Sequence, residues 1–318
     1  MRLIPYKVEA KDIEGDQLPW GISMVEAPEI WAKGEMGEGV VVAIIDTGID
    51  MSHPDLKERI IGGRNFTPEG SKDDFQDRNG HGTHVAGTIG ASENGSGVIG
   101  VAPRCKLLIL KALDSNGSGS YEGIIEAIKY ATDWKGEKNE RVRVISMSLG
   151  GPDDNHRMHK AIKRAIEHNI LVVCAAGNEG DGDEKSMEYG FPGRYNEVIQ
   201  VAASDENNKL AYFSNNNNEI DVIAPGVQVL STFPSSTYAK LSGTSMATPH
   251  ISGILALLIN MGEKKFQRTL TEAEVFALLV QSCIPLGFEA TSEGHGIPKL
   301  AIMNQTHKLL KFISGLKW

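Results

Sequence analysis

The chain has 318 residues, a formal net charge of −9 and a pI near 5.5, and these values exclude several classes of protein. Apolar residues at 41% and charged residues at 23% are typical of a globular chain and not of a disordered one. So acidic a surface does not favour binding to nucleic acid or to an anionic membrane. Glycine, at 35 residues, exceeds its usual share of about 7% and predicts many tight turns.

Cysteine content and the amino-terminal sequence indicate the compartment. Cys105, Cys174 and Cys283 are too few and too widely spaced for a disulfide framework or a Cys-x-x-Cys metal site, which favours a reducing environment. Closely spaced charges in residues 7–14 leave no room for the apolar core of a secretory signal. No apolar run approaches the ~18 residues of a membrane span. We therefore expect a cytoplasmic protein with no membrane partner.

Apolar, β-branched runs alternate with amphipathic helical patterns along the chain. The runs are continuous, as in strands covered on both faces, and lie at residues 40–45, 106–112, 142–147, 170–176 and 198–202. Helical patterns occupy residues 119–134 and 156–168, and a Thr271-x-x-Glu274 capping box begins another helix. The alternation predicts an α/β fold whose mostly parallel central sheet has helices on both faces.

Asp46 follows the first predicted strand, in the tripeptide Asp46-Thr-Gly, at the sheet edge where parallel strands gather functional residues. Aspartic proteases share this tripeptide, but they need two carboxylates that share one proton. This chain has a single such tripeptide, and an aspartic protease with one per chain would require a dimer of much smaller subunits. A strand-end aspartate that caps a turn is the other alternative at this point.

His81 and His84 lie in the segment Asn79-Gly-His-Gly-Thr-His84. Histidines three residues apart can ligate a metal, but no zincin glutamate and no third ligand accompany them. Gly82 and the small residues after it predict a closely packed helix, and we expect His81 to be exposed at its start. His81 is also a candidate general base.

Ser245 lies in a small-residue turn before an apolar stretch. At a helix amino terminus the unpaired N–H groups stabilise a developing negative charge, although a serine there is often only an N-cap. Pro249 fits the first turn of such a helix. Asn178, in a glycine-flanked turn after another predicted strand, is able to donate to an oxyanion.

Residues 95–100 match Gly-x-Gly-x-x-Gly. A dinucleotide site requires this motif to follow a strand and begin a helix. Here it follows a helix and precedes a strand, so no nucleotide is expected.

Asp46, His81 and Ser245, in this order and with Asn178 between the last two, resemble the subtilase family of serine proteases. The similarity runs from about residue 18 to residue 301, and three further stretches carry it: Ser148-Leu-Gly-Gly151, Phe191-Pro-Gly193 and Ala224-Pro-Gly226. The resemblance implies a three-layer subtilisin-like fold. It also implies a serine endopeptidase of broad specificity that acts on proteins and peptides.

The resemblance further implies a role for each site residue. Ser245 attacks the scissile carbonyl, His81 takes and returns the proton, and Asp46 orients the imidazole, while Asn178 completes the oxyanion hole. Two segments flank an extended substrate, namely Gly117, Ser118, Gly119 and Ser148, Leu149, Gly150. The first specificity pocket is lined by Ala175, Ala176, Gly177 and Gly190, with Glu179 at its rim.

A structural calcium ion is also implied, because oxygen donors of this kind suit Ca²⁺. The implied ligands are the side chains of Asp16, Asp55 and Asn94 and the carbonyls of Ser92, Ser96 and Val98. Asp16 stands where the family usually has an amide. A second, weaker Ca²⁺ or Na⁺ site uses the carbonyls of Gly193, Tyr195 and Val198 with the Asp221 carboxylate. For both, polar turns without an ion are the alternative.

Two extensions flank the predicted catalytic domain at residues 18–300. Residues 1–17 carry Leu3-Ile-Pro-Tyr6 and resemble the extension of the intracellular subtilisins, which implies a zymogen. We expect residues 3–8 to lie in the substrate cleft as an extra strand, with Leu3, Ile4, Pro5 and Tyr6 blocking it and Pro5 bending the chain; a frayed tail is the alternative. Residues 301–318 are apolar and predict a homodimer contact or packing on the chain's own body. The alternative function is a catalytically silent, peptide-binding subtilase fold.

Overall fold

The structure, a computed structural model, describes residues 13–33, 35–183 and 185–303, together with the backbone of residues 7–9. The predicted inhibitory residues Leu3 to Tyr6 and the carboxy-terminal residues 304–318 lie outside the described residues. The strands are β1 Lys7–Glu9, β2 Gly15–Gln17, β3 Val41–Asp46, β4 Ile60–Asn65, β5 Ser96–Val98, β6 Lys106–Lys111, β7 Val142–Met147, β8 Leu171–Ala175, β9 Ile199–Ser204, β10 Ile220–Pro225, β11 Val229–Phe233, β12 Thr237–Leu241, β13 Cys283–Ile284 and β14 Ile297–Pro298. The helices are α1 Trp20–Met24, α2 Pro28–Trp31, α3 His81–Gly90, α4 Tyr121–Asp133, α5 His156–Glu167, α6 Thr244–Phe266, α7 Glu272–Ser282 and α8 Ala290–Glu293.

The central sheet has the strand order β10-β9-β8-β7-β3-β6-β4, and its strand pairs are all parallel. Side chains of β3 alternate between two separate cores. Val42 and Ile44 face the core that contains α3 and α6, and Val41, Ala43 and Ile45 face the core that contains α4 and α5. The predicted three-layer α/β fold is thus confirmed, and β3 is buried on both faces as its apolar run predicts.

Helix starts follow the predicted local signals. Ser120 and Asn155 cap α4 and α5 with their side chains. The capping box between Thr271 and Glu274 begins α7, with both of its hydrogen bonds formed. Within the described residues, no helix is long and apolar enough to cross a bilayer. Cys105, Cys174 and Cys283 are all described, and none forms a disulfide.

A second sheet, in the order β1-β12-β11, lies beside the helix α3. β1 pairs antiparallel with β12, with Val8 opposite Ala239. Residues 3–8 were expected to lie in the substrate cleft as an extra strand; of these, residues 7 and 8 pair with β12, and the placement of residues 3–6 stays a prediction. β12 is thus the middle strand of this sheet, paired with β1 on one side and with β11 on the other.

Candidate active site

Asp46 and His81 meet at the carboxyl edge of the central sheet. Asp46 is the last residue of β3, and His81 is the first residue of α3. His81 Nδ1 lies 2.7 Å from Asp46 Oδ1, which also accepts the Thr47 N–H at 2.7 Å. His81 is 2% exposed and Asp46 is 1% exposed, so the expectation that His81 is exposed is wrong. α3 packs too closely on the β3 turn to leave the ring in solvent, since a Cβ on Gly82 would lie 2.2 Å from the Gly48 carbonyl.

The pKa of His81 is raised above its usual value. Burial acts against the protonated ring, but the charge and hydrogen bond of Asp46 outweigh it, with a further contribution from the charge of Asp77. His84 behaves differently, because burial lowers its pKa to about 3 and its Nε2 faces the carbonyls of Val229 and Ala239. His84 is therefore a neutral residue that joins α3 to the β11–β12 hairpin, and the structure gives it no metal-ligating neighbours among the described residues.

Ser245 lies in the first turn of α6, which packs against α3. Its hydroxyl lies 3.3 Å from the Ser148 carbonyl. In the described part of the chain, His81 Nε2 has no hydrogen-bond partner. Hydrogen bonds between nucleophile and base are often loose before substrate binds.

Pro249 lies in the second turn of α6 and not, as predicted, in the first. Proline has no N–H to donate to the carbonyl four residues earlier, which here is that of Ser245. The Ser148 hydroxyl donates to this carbonyl at 2.8 Å instead. Pro249 thus leaves the Ser245 carbonyl without its helical donor, and a hydroxyl from a neighbouring loop donates to it instead.

Asn178 is oriented by the start of α6. Its Oδ1 accepts the N–H of Thr244 at 2.8 Å and the Thr244 hydroxyl at 3.0 Å, which commits the oxygen and leaves the Nδ2 group as a donor. A Cβ on Gly243 would lie 3.4 Å from Nδ2, and Gly243 has φ of 151°. Glycine at this position therefore both permits the turn and keeps space beside the amide.

A pocket of about 300 Å³ adjoins Asn178. Of the residues predicted to contact substrate, it is lined by Leu149, Gly150, Ala175, Ala176, Gly177 and Gly190. The sequence did not indicate its other walls, which include Tyr189 and Thr244. A second pocket of about 230 Å³ lies between Gly117, Gly119 and the Leu149–Gly150 segment, with Tyr121 and Phe191 on its walls; it was not predicted.

The asparagine tract at residues 215–218 supports the first pocket. Asn215 Nδ2 donates to the Ala176 carbonyl at 3.0 Å and to Glu179 at 3.0 Å. Asn217 Nδ2 donates to the Glu188 carbonyl at 2.9 Å. Amide side chains thus hold both ends of the loop that walls the pocket, a role visible only once distant segments meet.

Comparison with known proteins identifies the family of this chain. A sequence model of the subtilase family, peptidase S8, matches residues 37–302. The chain belongs to the subtilase family. It is a serine endopeptidase of the subtilisin type, and its fold is the one this family implies.

Two relatives of this subtilase match nearly its whole length. It is 50% identical over 97% of its residues to the "Intracellular serine protease" of Paenibacillus polymyxa, of which 93% is covered. It is 51% identical over 93% of its residues to the "Major intracellular serine protease" of Bacillus subtilis, of which 92% is covered. Subtilisin E of Bacillus subtilis is 45% identical over 76% of the chain and is covered to 61%. Relatives named as proteases do not favour a catalytically silent protein.

The residues of the first predicted cation site lie around Asn94. The fully buried Asp55 lies with its Oδ1 3.1 Å from Asn94 Nδ2, while its Oδ2 accepts the Val98 N–H at 3.1 Å. Asp16, on β2, accepts the Gly95 N–H at 3.0 Å. Two carboxylates, an amide and the carbonyls of this loop form an oxygen-rich donor set that fits Ca²⁺.

The second predicted cation site surrounds Asp221. Burial raises the pKa of this carboxyl to about 7, and its Oδ2 accepts the Gln200 N–H at 2.8 Å. A nearby cation would favour the charged carboxylate that burial disfavours. The cation at Asp221 and the ligand roles of Gly193, Tyr195 and Val198 stay a prediction.

Proposed function

We propose that this subtilase cleaves peptide bonds through an acyl-enzyme on Ser245. His81 would take the proton of the Ser245 hydroxyl and later protonate the leaving amine, while Asp46 holds the ring with Nδ1–H toward its carboxylate. Asn178 Nδ2 and the Ser245 N–H would bind the oxyanion of the tetrahedral intermediate. The observation that carries the proposal is the 2.7 Å contact between His81 Nδ1 and Asp46 Oδ1, because it orients Nε2 as the free base.

A fluorophosphonate probe tests this proposal directly, because it forms a covalent bond only with an activated serine. Intact mass of the labelled protein should rise by one phosphonyl group, and peptide mapping should place that group on Ser245. A protein that folds and stays unlabelled would contradict the proposed mechanism, as would labelling at another serine.

The two glycine-rich segments support an extended substrate. Gly117, Gly119, Leu149 and Gly150 line the second pocket, and Leu149 and Gly150 also line the first. A peptide that pairs with both segments would gain main-chain hydrogen bonds without regard to its side chains. This mode suits the broad specificity we propose.

We also propose that the amino-terminal extension restrains activity. β1 lies on β12, and β12 is joined to α3 through the contact of His84 Nε2 with the Ala239 carbonyl at 3.1 Å. The extension is thereby attached to the hairpin that packs on the helix of the general base.

Removal of residues 1–12 is expected to raise kcat/KM on a small peptide p-nitroanilide. This deletion keeps β2, whose pairing with β5 places Asp16 beside Asn94. The matched control replaces residues 1–12 by a glycine-serine segment of the same length, and it should be as active as the deletion. Equal rates for the full-length protein and both variants would remove the inhibitory role.

We propose one structural Ca²⁺ near Asn94 and a weaker cation at Asp221, each stabilising the fold without taking part in peptide cleavage. Saturating Ca²⁺ should raise Tm, since a ligand at 100 times its Kd contributes about 2.7 kcal/mol. Asp55→Asn should remove most of this calcium-dependent shift, and the exposed Asp153→Asn should retain it. If Tm changed neither when Ca²⁺ was added nor when a chelator was added, the proposed structural ion would be excluded.

The relatives named as intracellular proteases support a cytoplasmic location for this chain, and we propose one. Assembly into a homodimer through residues 301–318 stays a prediction.

A further inference from the structure

Asp77 lies in the loop before α3 and is 3% exposed. Its Oδ1 accepts the Thr47 hydroxyl and the N–H groups of Asn79 and Gly80, each at 2.9 Å. Its Oδ2 accepts the N–H of Thr83 at 2.9 Å and the Thr83 hydroxyl at 2.6 Å. These five donors fix the position of the buried carboxylate.

The donors belong to the two segments that carry the catalytic pair. Thr47 directly follows Asp46 at the end of β3, and Thr83 lies in the first turn of the helix that begins at His81. The carboxylate of Asp77 therefore ties the turn after Asp46 to the amino terminus of α3. The Thr47 hydroxyl joins the same two segments directly, because it also accepts the Gly82 N–H at 2.8 Å.

The charged groups around His81 come from several elements. Asp46 faces it from β3 and Asp77 from the loop before α3, and both favour the protonated ring that burial disfavours. His84, on the same helix, is neutral because burial lowers its pKa to about 3. Lys111, on β6, is fully buried and donates to the Thr47 carbonyl at 2.8 Å; burial lowers its pKa, and Asp77 partly offsets that effect.

We propose that Asp77 is a positioning residue for catalysis, which holds Asp46 and His81 in register and supplies negative charge that stabilises the imidazolium formed during Ser245 attack. The inference rests on the proposed function, because it assigns Asp77 a part only if His81 is the general base. A purely structural role would use only the hydrogen bonds of Asp77. In the proposed role its negative charge also contributes to the reaction.

Asp77→Asn preserves size and removes the charge. We expect kcat at the pH plateau to fall roughly ten- to a hundredfold, since small displacements of catalytic groups cost up to about a hundredfold, with KM nearly unchanged. The acid limb of kcat/KM should move to lower pH, because a lost negative charge makes His81 less basic. Asp73→Asn, which removes the same charge from an exposed position in the same loop, should leave both quantities at wild-type values.

A folded Asp77→Asn protein with an unchanged plateau, or with an unshifted acid limb, would overturn the proposal. Should this variant not fold, Thr47→Val and Thr47→Ser carry the test. Valine removes the hydroxyl that donates to Asp77 and accepts the Gly82 N–H, and it is expected to lower kcat at constant KM. Serine keeps both hydrogen bonds and most of the activity, so equal kcat for the two variants would also overturn the proposal. Fluorophosphonate labelling of the wild-type protein distinguishes failure of the Asp77 inference from failure of the proposed function. A wild-type protein that stays unlabelled contradicts the proposed function itself.

Discussion

Ser245→Ala is expected to lower kcat by about 10⁶-fold, the size of loss known when the nucleophile of a subtilisin is removed. Without the hydroxyl no acyl-enzyme forms, and only substrate binding and oxyanion stabilisation remain, which keep the rate about 10³–10⁴ above that in water. KM should change little, because the pocket walls and the glycine-rich segments are untouched. Steady-state hydrolysis of a peptide p-nitroanilide, with fluorophosphonate labelling on the same sample, measures both consequences.

Ser252→Ala is the matched control, since Ser252 lies on the same helix two turns further on. Its hydroxyl donates to the Thr248 carbonyl at 3.1 Å and lies 2.9 Å from Ser146 Oγ, so its loss should cost about 1 kcal/mol of stability with kcat retained. A Ser245→Ala protein within tenfold of wild-type activity would exclude Ser245 as the nucleophile.

His81 and Ser245 should act as one unit. If the imidazole activates the hydroxyl, His81→Ala alone costs nearly as much as Ser245→Ala, and the double variant costs little more than either. Losses that multiply in the double variant would mean that the two side chains contribute independently. This measurement matters because the structure gives the Ser245 hydroxyl a contact with the Ser148 carbonyl.

The buried strands could be predicted because each is covered on both faces. Residues 40–45 form a continuous apolar run, and the strand there, Val41–Asp46, is fully buried. Ile60–Asn65 escaped prediction because it is an edge strand with two glycines and half-buried side chains. Ile220–Pro225 was missed because it contains Asp221 and ends in proline, which dilute the apolar pattern.

The proposed catalytic residues could be identified from sequence because each lies within a short local motif. Asp77 was not, since its role depends on donors from both the β3 turn and α3, and no spacing in the chain encodes that meeting. Asn215 was missed for the same reason, as its partners Ala176 and Glu179 lie nearly forty residues away. Burial of His81 also follows from packing between distant segments and not from its motif.

Asn178→Ala is expected to lower kcat by about 10²–10³-fold, the loss known for removing an oxyanion-hole donor from a subtilisin. Nδ2 would act on charge that exists only in the transition state, so KM should stay nearly constant. The substitution also removes the acceptor for the Thr244 N–H, and losing a helix cap costs about 1 kcal/mol of stability. Thermal unfolding measured beside the kinetics separates the two effects.

The Asn178→Asp substitution separates the role of the Oδ1 acceptor from that of the Nδ2 donor. The aspartate keeps an oxygen for the Thr244 N–H and hydroxyl, so Tm should stay closer to wild type than in Asn178→Ala. It replaces the Nδ2 donor with a charged acceptor, which repels a developing oxyanion, so kcat should fall at least as far as in the alanine variant. Asn218→Ala, at an exposed position, controls for the loss of an amide and should alter neither kcat nor Tm. If kcat fell in Asn178→Ala but recovered in Asn178→Asp, Asn178 would act only at the start of α6. The aspartate variant keeps the acceptor for Thr244 and lacks the Nδ2 donor.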